Sequence, residues 1–189
     1  MIKDILKNKD KSQTVFSFAD IARLTGRFPD KNLIAAVSYY VKKGELIRIS
    51  KGLYALNSAY SPLEAGNKLR VPSYISLYTV LAREGIVFQP YTSIYLVAGR
   101  SEIIEVAPYR YIYRKIKNEI LLNPVGLKTI EGVAYASKER AILDTLYLDG
   151  IQNFDNLRGV DWDFARQLNE DVYKSRSMFS ALKKYANHS

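Results

Sequence analysis

The sequence predicts an α+β protein built in two parts, a small basic N-terminal part and a larger mixed C-terminal part. The 189 residues include 28 lysines and arginines against 19 acidic residues, which gives a net charge of +9. Residues 1–58 carry +6 of this charge and residues 59–189 carry +3. Helical patterns, then strand patterns, then helical patterns follow in blocks, which favours α+β over alternating parallel units. A chain of this length fits one large domain or two small ones.

The first clear helical pattern begins after Ser17 and ends at Gly26. Ser17 supplies the hydroxyl of an N-terminal cap, and Asp20 stands three residues later, where a capping acid belongs. Between Ser17 and Gly26, apolar residues recur at helical spacing. Gly26 is the residue type that most readily takes the positive φ of a C-terminal cap, so we expect the helix to end there.

A second, longer helix is predicted from Pro29, which suits a first helical turn, to Gly44. An apolar stripe at three- and four-residue spacing is expected to be buried: Leu33, Ile34, Val37, Tyr40 and Val41. The opposite face carries small, amide, hydroxyl and cationic side chains: Lys31, Asn32, Ala35, Ser38, Tyr39 and Lys42. Such side chains suit the floor and walls of a DNA major groove.

Two short β-prone runs, residues 46–49 and 53–56, flank a turn at residues 50–52. From this hairpin, Arg48 and Lys51 are expected to approach phosphates. Helix, turn, longer helix and basic hairpin, in this order, are the pattern of a winged helix-turn-helix. The pattern predicts that the chain docks a helix on double-stranded DNA. The alternative is a small α/β subdomain with a solvated polar face.

The polar, proline-containing stretch 57–62 predicts a domain boundary, which gives a winged-helix domain over residues 1–58 and an α+β domain over residues 60–189. In the second domain we predict helices over residues 62–69 and 73–84. Strands are predicted over residues 93–98, 102–107, 109–116, 119–122 and 127–136. The last predicted helices cover residues 138–149, 154–157, 161–169 and 175–186.

The sequence lacks the residues for several classes of chemistry. It contains no cysteine, and its single histidine is His188, which removes thiolate and histidine metal sites and histidine-based nucleophile systems. No glycine-rich phosphate-binding motif is present. Asp161 and Asp163 suit a helix start, and Arg140 and Asp144 suit an intrahelical ion pair. We therefore predict a protein that is not an enzyme and that holds neither a cofactor nor a metal.

The N-terminal stretch, residues 1–13, has no long apolar run and is not a signal peptide. No segment approaches the ~18 consecutive apolar residues of a membrane-spanning helix. The sequence therefore predicts a cytoplasmic protein without a membrane partner.

Residues 109–115 read YRYIYRK and predict a strand with alternating aromatic and basic side chains. Such a strand can stack single-stranded bases, or it can form a protein-binding surface. It can also be an ordinary strand with one half-buried aromatic face and one wet basic face. We favour the ordinary strand, because the chain contains 15 tyrosines spread along its length.

Three further segments carry a family resemblance. RISKGLYAL at residues 48–56, VPSYISLYTVLAREGI at residues 71–86 and VAYASKERAILDTLYL at residues 133–148 follow one another around the predicted strands. Together they resemble the AbiEi-type antitoxins of type IV toxin–antitoxin systems, which are bacterial abortive-infection and phage-defence regulators. The resemblance runs over roughly residues 15–148.

The resemblance implies a DNA-binding N-terminal domain that represses its own operon. It also implies a C-terminal domain that counteracts a neighbouring nucleotidyltransferase-like toxin, without needing a stable complex with it. The expected partners are thus operator DNA and, functionally, that toxin. The predicted DNA-binding residues are Lys31, Asn32, Ser38, Tyr39, Lys42, Arg48 and Lys51. The candidate antitoxin surface comprises Tyr111, Tyr113, Arg114 and Arg140.

Two other functions stay open at the level of sequence. One is a plain winged-helix transcriptional regulator whose second domain senses a ligand or mediates assembly. The other is a nucleic-acid-processing enzyme that uses the winged helix as an anchor, with Asp161 and Asp163 as its acids.

Overall fold

The computed structural model describes residues 1–187, so His188 lies outside the described residues. The chain divides into two compact units, Met1–Leu69 and Arg70–Ser189. Both units mix helices and strands, as the predicted α+β class requires.

The N-terminal unit has the order of elements of a winged helix. Its elements are α1 (Ile2–Asn8), β1 (Val15–Ser17), α2 (Phe18–Thr25), α3 (Lys31–Lys42), β2 (Ile47–Ser50), β3 (Leu53–Ala55) and α4 (Pro62–Leu69). The strands form an antiparallel sheet in the order β1-β3-β2. The predicted helix-turn-helix and hairpin are confirmed as α2–α3 and β2–β3. Helix α1 and strand β1 were not predicted.

A single apolar core explains why α1 and β1 belong to this unit. Its buried members are Ile5, Phe16, Ile21, Ala22, Leu24, Leu33, Val37 and Leu46. Ile5 of α1 and Phe16 of β1 are fully buried against the helix-turn-helix. Each element is too short to show a convincing periodicity in the sequence, and tertiary burial fixes its conformation instead.

The ends of the two central helices are set by capping side chains. Ser17 and Asp20 form the predicted reciprocal capping box at the start of α2, and Gly26 ends that helix at φ 65°. Helix α3 begins later than predicted. The Asp30 side chain accepts the backbone N–H of Leu33, so Asp30 is the cap and Pro29 lies before the helix.

Helix α4 belongs to the winged helix rather than to the second domain, so the units divide after Leu69 and not between residues 58 and 60. The buried Glu64 carboxylate accepts hydrogen bonds from Thr14 N–H at 2.8 Å, Thr14 Oγ1 at 2.6 Å and Val15 N–H at 3.1 Å. Lys68, one turn later, pairs with Glu64 at 2.9 Å and donates to the Val15 carbonyl. These contacts fasten α4 to the start of β1.

The C-terminal unit surrounds a six-stranded mixed sheet. Its elements are β4 (Ser73–Ile75), α5 (Leu77–Arg83), β5 (Ile94–Ala98), β6 (Glu102–Val106), β7 (Tyr109–Lys115), α6 (Asn118–Leu121), β8 (Leu127–Ile130), β9 (Val133–Ala136), α7 (Lys138–Asp149), α8 (Trp162–Leu168), a π-helical turn (Asn169–Tyr173) and α9 (Arg176–Ala186). The strand order is β6-β7-β5-β4-β9-β8. The pairs β4–β9 and β5–β7 are parallel, and the other pairs are antiparallel. Helix α7 contacts β9 and packs against α5, α8 and α9.

Two predicted elements of this unit are wrong in type. Residues 73–84 were predicted as one helix, but residues 73–75 form a strand that pairs with β5, and the helix covers residues 77–83 only. Pairing with a neighbouring strand here overrides the local helical pattern. Residues 119–122 were predicted as a strand, but residues 118–121 form α6, a run too short for periodicity to decide.

The helix predicted over residues 154–157 is absent because side chains in that stretch bond to another loop. Asp155 accepts the backbone N–H of Phe88 at 2.7 Å. Asn156 donates to the Gly85 carbonyl at 3.2 Å. Asp and Asn side chains that bond to backbone in this way compete with helix formation.

Candidate nucleic-acid interface

Every residue predicted to contact DNA lies on the exposed surface of the winged helix. The exposed set is Lys31, Asn32, Ser38, Tyr39, Lys42, Arg48 and Lys51. The first five lie on α3, Arg48 lies on β2, and Lys51 lies in the turn of the wing. Helix α3 contains no acidic residue between its ends, so its outer face carries only neutral and positive side chains. Such a face is electrostatically suited to a polyanion.

The buried side of α3 is narrower than the predicted stripe. Leu33 and Val37 are buried, Tyr40 and Val41 are half-buried, and Ile34 is 54 % exposed. The prediction that Ile34 belongs to the core is therefore wrong. A helix anchored through so few residues leaves most of its circumference open to a ligand.

Two of the predicted base-contacting residues already hold intramolecular hydrogen bonds. The Ser38 hydroxyl donates to the Ile34 carbonyl at 2.8 Å, so its oxygen is left to accept from a base. Asn32 Nδ2 donates to the Asp30 carboxylate at 3.3 Å, which orients the amide beside the start of the helix. Asn32 has a second amide hydrogen and its carbonyl oxygen to offer to a base edge.

Helix α3 and the wing form the walls of a cleft of about 250 Å³. Its lining residues are Val37, Ser38, Val41, Lys42, Arg48 and Tyr54. Lys42 from the helix and Arg48 from the wing bring positive charge to the same cleft. Tyr54 lies opposite Arg48 across the β2–β3 pair, and it is a site residue that the sequence reasoning missed. Its place on a strand hid the connection, because only the fold brings β3 next to α3.

The wing is positioned by its turn and by one backbone bond. Gly52 has a φ of 77°, which a glycine adopts without strain, and it closes the hairpin at Lys51. The Gly52 carbonyl accepts the N–H of Phe18 at 2.9 Å, which ties the turn to the first residue of α2. Lys51 is thereby held at the tip of a hairpin attached to the helix-turn-helix.

The candidate antitoxin surface is corrected by the structure. Tyr111, Tyr113 and Arg140 are 0 %, 1 % and 0 % exposed, so they belong to the interior. Arg114 is half-buried and pairs with Asp149 at 2.7 Å. The strand 109–115 thus has a buried aromatic face, as the ordinary-strand interpretation requires, and these four residues do not form a surface.

Arg140 is the centre of a buried polar network rather than an exposed ion pair. Its guanidinium donates to the carbonyls of Ile120 at 2.6 Å, Asn123 at 2.7 Å and Val125, and stacks over the Tyr74 ring at 4.9 Å. These three carbonyls belong to α6 and the segment that follows it. Arg140 therefore ties that segment to α7, a role that planar, multiply donating arginine performs better than lysine.

Asp144, one turn after Arg140 on α7, is also fully buried. It accepts hydrogen bonds from Ser76 Oγ at 2.6 Å, Tyr173 Oη at 2.7 Å and Tyr74 Oη at 3.1 Å. Burial raises the pKa of this carboxyl, while these bonds and the charge of Arg140 oppose the rise. Tyr74 bridges the pair, because its hydroxyl also accepts from Arg140 at 3.4 Å.

The acids considered for an enzyme have structural partners. Asp161 caps α8 by accepting the N–H of Phe164 at 2.9 Å. Asp163, in the first turn of α8, is exposed and pairs with Arg166 three residues later. Among residues 1–187, no group of three or more histidine or acidic side chains is arranged to hold a metal ion.

A known protein family matches the N-terminal unit. Residues 4–57 match the model of a family described as "Transcriptional regulator, AbiEi antitoxin". The matched segment runs from α1 through β3 and contains the whole exposed face described above. The resemblance found in the sequence is confirmed over this segment.

The fold of the whole chain is similar to a known crystal structure, that of the RV2827C protein from Mycobacterium tuberculosis. The two share 12 % sequence identity with a TM-score of 0.54, over 96 % of this chain and 73 % of that chain. No curated protein sequence matches this chain. None of the helices described between residues 1 and 187 combines the length and apolar character needed to cross a bilayer.

Proposed function

We propose that this protein is a DNA-binding transcriptional autorepressor and the antitoxin of a type IV toxin–antitoxin system. The observation that carries the proposal is the coincidence of two findings on the N-terminal unit. A winged helix exposes all seven predicted DNA contacts, and the same residues match a family of AbiEi antitoxin regulators. The partners are double-stranded operator DNA and, functionally, a neighbouring nucleotidyltransferase-like toxin.

In this proposal, α3 enters the major groove and the wing follows the DNA backbone. Asn32, Ser38 and Tyr39 contact base edges, whereas the cations of α3 and the wing neutralise phosphates. Lys42 from α3 and Arg48 from the wing bring positive charge to the cleft between these two elements, where the DNA backbone would pass. Lys51 reaches the backbone from the tip of the wing.

The antitoxin role is assigned to the C-terminal unit, without chemistry of its own. The charged groups at its centre, Arg140 and Asp144, are buried and hydrogen-bonded to other groups of the same unit. Asp161 and Asp163 serve the start of α8. A non-enzymatic role is therefore favoured over a nuclease, whereas the plain-regulator alternative differs only in what the C-terminal unit recognises.

Salt titration of DNA binding tests the DNA-binding part of the proposal. Replacing Arg48 or Lys51 with glutamine should weaken binding to every duplex to a similar extent and reduce the slope of log K against log salt by about one unit. Asn32→Ala should instead lose discrimination between operator and scrambled DNA, about 10-fold or more for one good base contact.

The matched control for these variants is Arg166→Gln, which removes a cation from the C-terminal unit. It should leave both affinity and salt slope at wild-type values. Wild-type protein that binds operator and scrambled duplexes equally would overturn sequence-specific repression. Unchanged salt slopes for Arg48→Gln and Lys51→Gln would show that the wing does not touch DNA.

A further inference from the structure

Ile34 is an apolar side chain exposed on the face of α3 that the proposed function assigns to DNA. It stands in the first half of the helix and is 54 % exposed. Lys31 and Ser38, three residues before and four residues after it, lie on the same side of the helix and are both exposed. An exposed isoleucine contributes little to the stability of the free protein, because much of its apolar side chain stays in contact with water.

The surroundings of Ile34 favour nucleic acid as its partner. The face between Lys31 and Lys42 has no acidic side chain, and Arg48 and Lys51 extend the positive charge onto the wing. The N-terminal residues of a recognition helix contact base edges, and Ile34 lies in the first turn of α3. In the major groove, the apolar group on a base edge is the 5-methyl of thymine.

We propose that Ile34 reads the 5-methyl group of a thymine in the operator. The inference rests on the proposed function and adds to it a specificity residue of a different chemical kind. Asn32, Ser38 and Tyr39 discriminate through hydrogen bonds, whereas Ile34 has no polar side-chain atom and discriminates through apolar contact alone. At the base pair facing Ile34, the protein prefers thymine to any base without the methyl.

Replacing thymine with deoxyuridine tests the contact, because the two bases differ only in the 5-methyl group. The full chain selects duplexes from a randomised pool, and the thymines of the selected duplex are then replaced one at a time. At one position the replacement should weaken wild-type binding by about three- to fivefold, the effect of burying one methyl-sized group. Ile34→Ala should bind the thymine and uracil duplexes equally at that position.

Leu6→Ala is the matched control. Leu6 is 56 % exposed on α1, so the variant removes a similar apolar side chain from the same unit and should retain the preference for thymine. Alanine at position 34 should also leave the fold intact, since the site is exposed and alanine is the best helix former. The salt slope of Ile34→Ala should equal that of the wild type, because no phosphate contact is removed.

The possible results distinguish a failure of the Ile34 inference from a failure of the proposed DNA-binding function. A wild-type chain that selects a duplex but is insensitive to every thymine replacement overturns the inference and leaves the proposed function standing. The inference is also overturned if Ile34→Ala keeps the full preference for thymine. A chain that enriches no duplex overturns both.

Discussion

At the scale of single residues, the stability of the C-terminal unit depends on two buried charged side chains, Arg140 and Asp144. Arg140 is fully buried and donates hydrogen bonds to three backbone carbonyls of one segment. Asp144 accepts hydrogen bonds from three hydroxyl groups, those of Tyr74 on β4, of Ser76 directly after β4 and of Tyr173 on the π-helical turn. A buried charge of this kind is costly to create and more costly to leave without its partners. Its value lies in joining elements that are distant in sequence.

Arg140→Ala should therefore destabilise the C-terminal unit by about 3–5 kcal/mol, because Asp144 and three carbonyls lose their donor or counter-charge in the interior. Urea unfolding checks this, with fluorescence of Trp162, the only tryptophan, as a probe within the same unit. Arg166→Ala, which removes an exposed pair with Asp163, should change the free energy of unfolding by less than about 1 kcal/mol. A similarly small loss for Arg140→Ala would contradict the role given to the network.

At the scale of elements, an ion cluster holds the edge strand β6 to the start of the C-terminal unit. Arg70 donates to both carboxylate oxygens of Glu102, and Arg100 donates to one of them at 2.6 Å. The hydrogen bonds from Arg70, together with those from Arg100, lower the pKa of Glu102 to about 2. Arg70, the first residue of the unit, is thus bonded to β6, which lies three strands away from β4 in the sheet.

The pH dependence of stability follows from this lowered pKa. A carboxylate with a depressed pKa in the folded protein stabilises it above the unfolded pKa, about 4.5, and loses that contribution as the pH falls towards about 2. Wild-type protein should therefore melt at a higher temperature than Glu102→Gln at pH 7. The difference should shrink as the pH falls between these two values. Glu105→Gln, on the same strand but 73 % exposed at its side chain, should differ little from the wild type at any pH. A gap for Glu102→Gln that persists below pH 2 would rule out this explanation.

The elements also show which parts of the fold can be predicted from sequence. Helix α2 was predicted because local chemistry specifies its ends, through Ser17 and Gly26. The start of α7 carries a signal of the same kind, since the Ser137 side chain accepts the N–H of Arg140. Strand β4 and helix α1 were missed because pairing with β5 and burial of Ile5 decide them. The pairing of β4 joins residues that are far apart in the sequence, and the burial of α1 rests on too few residues to form a sequence pattern.

The candidate site divides in the same way. Surface residues on a single helix face, such as Lys31 and Lys42, follow from helical periodicity alone. Tyr54 was missed and Ile34 was misassigned to the core, because only the packed wing and the narrow contact of α3 define which side chains stay open. Arg140 was placed on a surface for the converse reason, since a buried arginine is rare and its sequence context looks like an ordinary ion pair.

At the scale of the whole molecule, the two units are proposed to carry separate activities. The net positive charge is concentrated in residues 1–58, and the family match covers residues 4–57. Helix α4 adds to this unit the Glu64 and Lys68 contacts that hold β1 in place. A DNA-binding fragment should therefore end at Leu69 rather than at residue 58.

Fragments test this separation directly. Residues 1–69 should fold and bind operator DNA close to wild-type affinity per site. Residues 1–58 should be less stable, because Thr14 N–H and Val15 N–H lose the carboxylate that accepts them. Residues 70–189 should fold, as ~120 residues can bury a core, and should rescue growth from the neighbouring toxin without binding operator.

The growth-rescue experiment distinguishes the antitoxin from the plain regulator. Fluorescence of Trp162 establishes that the fragment of residues 70–189 is folded, and co-expression with the toxin gene then measures growth. Arg140→Ala in this fragment should weaken rescue, because its lower stability reduces the amount of folded protein in the cell. A folded fragment that fails to rescue would favour the plain regulator, because the C-terminal unit would then act only through the DNA-binding unit. Rescue by residues 1–69 alone would place the antitoxin activity in the winged helix and overturn the assignment.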